Sequence, residues 1–162
     1  MFVVETVRTM NIGKADPAAD PAREPKWLEA LDHTADAGII VHADDLKALF
    51  TRAAWGMFSV ITDLAAVKAA GKVRIAVEAA DRHALLVKWL SELNYRHVTE
   101  HWLFCRFDVL SLTDQQLEAE AHGERIDPNR HTIYTEIKAV TFHDLQIENV
   151  DGRWTAKVIF DL

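Results

Sequence analysis

Carboxylates stand at two distant places in the chain from which they could share a cation. The polar loop 32–36 (DHTAD) carries two aspartates and a histidine. The sequence ends on Asp161 and Leu162, so a side-chain carboxylate adjoins the terminal α-carboxylate. Hard cations bind several oxygen ligands, and carboxylates are their strongest protein ligands. If the fold brings Asp36 close to Asp161, these groups form an oxygen-ligated metal site.

Each of these carboxylates also has an ordinary structural explanation. Asp, Thr and Gly are common turn residues between strands, which suffices to explain the loop that ends at Asp36. An aspartate at the close of a strand, such as Asp161, can simply solvate the end of a sheet. The local sequence leaves both interpretations open, and the adjacency of Asp161 to the terminal carboxylate favours the metal site.

Two further groups of polar residues could carry chemistry. Lys138 and His143 are five positions apart, so in a regular strand they point to opposite faces and form no obvious pair unless a bulge intervenes. Glu120, His122 and Glu124 occupy every second position of a predicted strand, so their side chains share one face. This pattern favours a solvent-facing stripe over a second set of metal ligands.

Composition excludes several classes of function. A net charge of −7 argues against gripping nucleic-acid phosphates and favours a protein partner. The single cysteine, Cys105, excludes an intramolecular disulfide and is expected to be a buried structural thiol. No glycine-rich phosphate loop or standard zinc signature is present. With no membrane-length apolar run and no signal-peptide pattern, a cytoplasmic location is expected.

The elements that must position these groups follow from periodicity and caps. The pattern predicts strands at 27–31 and 38–42, a helix from Asp44 to about Asp63, a strand at 72–79, a helix capped by Asp81, two or three strands over 102–125, and a final hairpin of 138–148 and 153–161. This order predicts an α+β fold, with two helices packed against mostly antiparallel sheet. Residues 1–25 are expected to be a flexible N-terminal extension, and 26–162 a single compact domain.

Several segments in the same order resemble the archease family. They are 31–39 (LDHTADAGI), the helix 46–58, the second-helix segment 85–93, the pair 123–124 (GE), 138–143 (KAVTFH) and the ending 160–162 (FDL). The resemblance implies a small α+β protein without free-standing enzyme activity. It also implies assistance to a GTP- and manganese-dependent RNA ligase in tRNA splicing and RNA repair, with RNA contacted only through the ligase.

The resemblance further implies how such a protein acts. Family members promote guanylylation of the ligase and so allow multiple turnover. Their metal site corresponds here to Asp36, Asp161 and the carboxylate of Leu162. The resemblance also suggests four functional neighbours, which are Asp32, His33, Lys138 and His143. All-oxygen ligands suit a divalent cation; calcium is expected, with magnesium or manganese as alternatives.

Two other functions compete with this interpretation. A metal-dependent phosphohydrolase could use the same carboxylates with His33 or His143 as the base. A plain interaction domain or chaperone would need no metal. Hydrolysis assays and metal analysis distinguish the three.

Overall fold

The computed structural model describes residues 25–32 and 35–162. The predicted N-terminal extension therefore lies almost wholly outside the described residues, as do His33 and Thr34. Within the described part, two helices and eight strands follow one another along the chain. They are β1 (Leu28–Asp32), β2 (Asp36–Ala43), α1 (Leu46–Ile61), β3 (Gly71–Glu78), α2 (Arg82–Glu100), β4 (Trp102–Leu112), β5 (Gln116–Arg125), β6 (Ala139–Val140), β7 (Gln146–Val150) and β8 (Arg153–Asp161).

The strands form two antiparallel sheets. The five-stranded sheet has the order β1-β2-β8-β6, and β7 also pairs with β8. The three-stranded sheet has the order β3-β5-β4. This arrangement confirms the predicted α+β class with antiparallel pairing. No helix among the described residues is long and apolar enough to cross a membrane.

Aspartate side chains cap both helices. Asp45 Oδ1 accepts a hydrogen bond from the Ala48 amide at 2.8 Å, so α1 starts one residue later than predicted from Asp44. The predicted cap of α2 is confirmed, since Asp81 Oδ1 accepts from the Ala84 amide at 2.8 Å. Each cap satisfies one amide that the first helical turn leaves unpaired.

The helices pack between and against the sheets around an aromatic core. Helix α1 contacts both β2 and β4 and so links the two sheets, while α2 covers the three-stranded sheet and reaches β6. The Phe58 ring lies edge-on to Phe104, with ring centroids 5.5 Å apart. The Trp89 ring lies edge-on to Phe107, with centroids 6.2 Å apart. All four side chains are fully buried or nearly so. Burial of such rings supplies much of the hydrophobic stabilisation.

Cys105 was predicted to be buried, but the irregular pairing of β4 changes its environment. The register of β4 with β5 shifts between Phe104 and Arg106 and again between Val109 and Ser111. Leu103 and Phe104 are consequently both buried, and Cys105 is only half-buried. Its burial still raises the pKa of the thiol.

The strand predicted over 138–148 is interrupted. Only Ala139–Val140 and Gln146–Val150 are strands, because residues 141–145 turn away from the sheet. Asp144 adopts a left-handed backbone with φ 52°, which no regular strand accommodates. Strands β7 and β8 form the final hairpin, and Asp151 and Gly152 at its turn both have positive φ.

A candidate carboxylate metal site at one end of the five-stranded sheet

Strand register places the two predicted carboxylates side by side. Asp36 is the first residue of β2 rather than part of the preceding loop, and it lies directly opposite Asp161 on β8. The next pairs along the two strands are Ala37 with Phe160 and Gly38 with Ile159. Because paired residues of antiparallel strands project to the same face, Asp36 and Asp161 share the face opposite to buried Ala37 and Phe160.

One carboxylate oxygen of Asp36 shows that the environment suits a cation. Asp36 Oδ1 is buried and has no hydrogen-bond partner among residues 25–32 and 35–162. A buried carboxylate oxygen without a donor is costly, and like charge from a facing carboxylate adds to that cost. A divalent cation would satisfy the oxygen and neutralise both groups, so the residues present fit a metal ion with oxygen ligands.

Lys138 lies beside Asp161, and Leu162, whose carboxylate is the third predicted ligand, follows Asp161 in the chain. Strand β6 flanks β8 with Ala139 opposite Asp161, and the amide of Lys138 donates to the carbonyl oxygen of Asp161 at 2.8 Å. The main chain of Lys138 therefore runs beside the terminal residue, Leu162. The side chain of Lys138 is exposed, so its ammonium group can meet an external ligand or partner.

The other predicted neighbours are placed less closely. Asp32 is the exposed last residue of β1 and pairs with Ala37, next to Asp36. His33 lies outside the described residues. His143 stands in the turn after β6 with its side chain exposed, and its Nε2 is 3.5 Å from Asp144 Oδ2. The amide and hydroxyl of Thr141 both bond the Ile159 carbonyl, which ties the start of this turn to β8 near Asp161.

A hydrogen-bonded cluster around Glu124, which was not predicted, fixes the loop that leads toward Lys138. Arg130 Nη2 donates to Glu124 Oε1 at 2.6 Å, and the Lys68 amide donates to Oε2 at 2.8 Å. The side chain of His131 is fully buried, and its Nε2 lies 3.0 Å from Glu124 Oε2. Because His131 Nδ1 accepts from the Asp127 amide, the ring proton is on Nε2. The hydrogen bond from Arg130 is the main cause that lowers the pKa of Glu124 to about 2.

Asn94 was also missed, although it fixes the segment immediately before Lys138. Its Nδ2 donates to the carbonyl oxygen of Ile137 at 2.8 Å, and both residues are buried. A polar residue inside the apolar stripe of α2 was the available signal. Buried side-chain amides are usually retained for a specific partner.

Comparison with known proteins assigns the family. The sequence model of the Archease protein family matches residues 28–162. The chain belongs to the archease family. "Protein archease" of Methanopyrus kandleri is 42% identical over 137 residues, which are 83% of this chain and 98% of that protein. "Protein archease" of Methanothermobacter thermautotrophicus is 42% identical over 140 residues, or 85% and 99% of the two chains.

Solved archease structures agree with the fold. The solution structure of protein 1598 of Methanobacterium thermoautotrophicum superposes with a TM-score of 0.71 at 38% identity, covering 85% of this chain and 99% of that one. A Thermotoga maritima crystal structure, described as an archease and possible chaperone, gives a TM-score of 0.56 at 16% identity. The superposition covers 83% of this chain and 96% of that one. The second likeness supports the fold alone.

Proposed function

We propose that this archease binds a divalent cation through Asp36, Asp161 and the carboxylate of Leu162, and that it activates a GTP- and manganese-dependent RNA ligase. The buried, unpartnered Oδ1 of Asp36 opposite Asp161 carries the metal part of this proposal. The proposed activation of a ligase rests on membership of the archease family. The protein is a non-catalytic cofactor that promotes guanylylation and multiple turnover in tRNA splicing and RNA repair.

The chemistry of guanylylation explains why such a site would help. Transfer of GMP requires neutralisation of phosphoryl charge and alignment of the reacting groups. A bound divalent cation supplies positive charge for triphosphate oxygens. Asp36 and Asp161 would hold that charge at one end of the five-stranded sheet, and the exposed Lys138 beside them adds a positive group that can contact phosphate.

The charge of the chain supports a protein partner over direct RNA binding. The net charge of −7 repels a polyphosphate backbone. RNA would therefore reach the complex through the ligase.

A cytoplasmic location is proposed with this role. We favour calcium as the resident ion, with magnesium or manganese able to occupy an all-oxygen site.

The test is guanylylation of the RNA ligase from the same organism at limiting GTP. The assay compares the ligase alone, the ligase with wild-type protein, and the ligase with Asp36→Asn. Asp144→Asn is the matched control, because it removes one exposed carboxylate from the nearby turn without touching the paired strands. Stimulation by the wild type and by Asp144→Asn, and little by Asp36→Asn, supports the proposal.

The remaining outcomes separate its two parts. Equal stimulation by all three proteins would keep the activator role and reject the role of the carboxylate site in it. If none stimulates an active ligase, the activator role is wrong. Release of phosphate by the isolated protein that depends on Asp36 would then support the competing phosphohydrolase.

A further inference from the structure

A second cluster of metal-ligating groups lies on the outer face of the three-stranded sheet. Register pairs Asp108 with Glu120 and Arg106 with His122 across β4 and β5. His122 Nε2 is 3.0 Å from Asp108 Oδ2 and 3.8 Å from Glu120 Oε1. The predicted solvent-facing stripe at this position was wrong, because the side chain of His122 is only 11% exposed and charged neighbours cover it.

We propose that Asp108, Glu120 and His122 form a binding site for a divalent transition-metal ion of the zinc class. One ligand atom from each residue lies within 4.8 Å of the other two. Ligand atoms about 2.0–2.2 Å from a tetrahedral zinc ion are roughly 3.3–3.6 Å apart, so small side-chain rotations bring this set to coordinating distance. The ion would replace the contact between His122 Nε2 and Asp108 Oδ2, the ring proton of His122 would then lie on Nδ1, and a water would take the fourth position.

Arg106 currently supplies the positive charge that the cluster needs. Its Nη2 is 3.1 Å from both ring nitrogens of His122 and 3.6 Å from Asp108 Oδ2. A single nitrogen equidistant from the two cannot lie along both lone-pair directions, so neither contact is a well-directed hydrogen bond. Arg106 Nε is buried, and no described residue offers it a hydrogen-bond partner. The guanidinium is therefore a poorly satisfied counter-charge that a metal ion could displace.

Glu120 keeps one oxygen available for the ion. Lys72 Nζ donates to Glu120 Oε2 at 3.1 Å, and Oε1 is the oxygen turned toward His122. The hydrogen bond from Lys72 is the main cause that lowers the pKa of Glu120. Lys72 thus orients Glu120 without blocking the atom that would bind the metal.

The ligand chemistry separates this site from the carboxylate pair of Asp36 and Asp161. An imidazole nitrogen with two carboxylates suits zinc, cobalt or manganese, whereas an all-oxygen set suits calcium or magnesium. The two sites lie on different sheets. The inference does not depend on ligase activation.

The experiment titrates the metal-free full chain with Co²⁺, whose visible ligand-field absorption reports coordination, and with Zn²⁺ by calorimetry. All variants carry Asp36→Asn, so that the other carboxylate site contributes little. We compare His122→Asn, Arg106→Met and, as a matched control, Glu118→Gln, which neutralises an exposed glutamate on the same face of β5. Circular dichroism verifies that each variant is folded.

The expected result is one equivalent of bound ion in the Asp36→Asn background and in the control. His122→Asn should weaken binding by about tenfold or more, because it removes the only nitrogen ligand. Arg106→Met should tighten binding, because it removes a competing cation while retaining a side chain of similar length. Absence of a stoichiometric site, or Co²⁺ spectra unchanged by both substitutions, would overturn the inference. The Arg106 variant keeps the test decisive if His122→Asn does not fold.

Discussion

Asp36 and Asp161 are register partners on β2 and β8, so the carboxylate site is a property of strand pairing and not of a single loop. A slip of one residue in either strand would turn one carboxylate toward the core face. The two side chains are therefore as fixed as the sheet that carries them. In the absence of a cation, repulsion between the two carboxylates therefore lowers the stability of that sheet.

This relationship predicts opposite effects of Asp36→Asn with and without metal. In chelator, the variant should be at least as stable as the wild type, because substitution relieves repulsion around a buried oxygen. With calcium at about 100 times its dissociation constant, the wild-type melting temperature should rise by about 5–10 °C. The variant should show little rise. Thermal melts of both proteins and of Asp144→Asn, in chelator and in calcium, check the prediction; a calcium shift that persists in Asp36→Asn would contradict it.

Gly123 is predicted to tolerate no side chain, in contrast to its strand partner. A Cβ on Gly123 would lie 1.8 Å from the carbonyl oxygen of Leu103, whereas a Cβ on Gly71 would have its nearest neighbour at 3.3 Å, in the Trp102 ring. Gly123→Ala must push β4 away from β5, and we expect a loss of at least about 3 kcal/mol in the free energy of unfolding. Gly71→Ala should cost less than about 1.5 kcal/mol. Urea denaturation measures both, and equal losses would show that the backbone contact is not the cause.

The lowered pKa of Glu124 predicts a loss of folding stability in acid. Its pKa is about 2 in the folded protein against an ordinary value of 4.5. The unfolded chain therefore takes up a proton first as the pH falls. The stabilisation by Glu124 is complete above about pH 4.5 and is lost as the pH decreases toward 2.

The variant Glu124→Gln isolates this effect. It should be less stable than the wild type at pH 7, since Arg130 and His131 lose an ionised partner. Its stability should also depend less on pH between about 4.5 and 3. Urea midpoints across that range measure the difference, with Glu118→Gln as the exposed control. Parallel curves for Glu124→Gln and the wild type would rule out the assigned role.

Asn94 is predicted to stabilise the segment that leads into Lys138. Asn94→Ala leaves the buried carbonyl oxygen of Ile137 without its donor, which should cost about 1–3 kcal/mol. Asn129→Ala, at an exposed loop position, should change stability by no more than about 0.5 kcal/mol. Hydrogen exchange of the Lys138 amide, which bonds Asp161, should quicken in Asn94→Ala alone. Unchanged protection would place the support of Lys138 elsewhere.

Features encoded by local periodicity were predictable from sequence. The alternation of Val73, Ile75 and Val77 predicted β3, and Asp81 predicted the start of α2. Both signals depend only on nearest neighbours along the chain. The break after Val140 was missed, because the left-handed backbone of Asp144 leaves no signal in the alternation of the sequence.

The candidate site was predicted in part for a similar reason. The residue types and the family resemblance singled out Asp36 and Asp161, but only the register of β2 and β8 brings them together. The support provided by Glu124 was missed, because its partners include the backbone of Lys68 and the buried ring of His131. Glu120 and His122 were misread as solvent-facing, because Arg106 and Lys72 come from neighbouring strands.

The central position of β8 has a consequence for how the protein is made. The strands of the three-stranded sheet, β3, β4 and β5, are synthesised within one continuous stretch and can pair as they leave the ribosome. The five-stranded sheet must wait, because β2, β6 and β7 all pair with β8, which follows them in the chain. Until translation reaches β8, β2 presents an open edge through which nascent chains can associate wrongly. Slow codons or a chaperone acting late in synthesis would matter more for this sheet than for its neighbour.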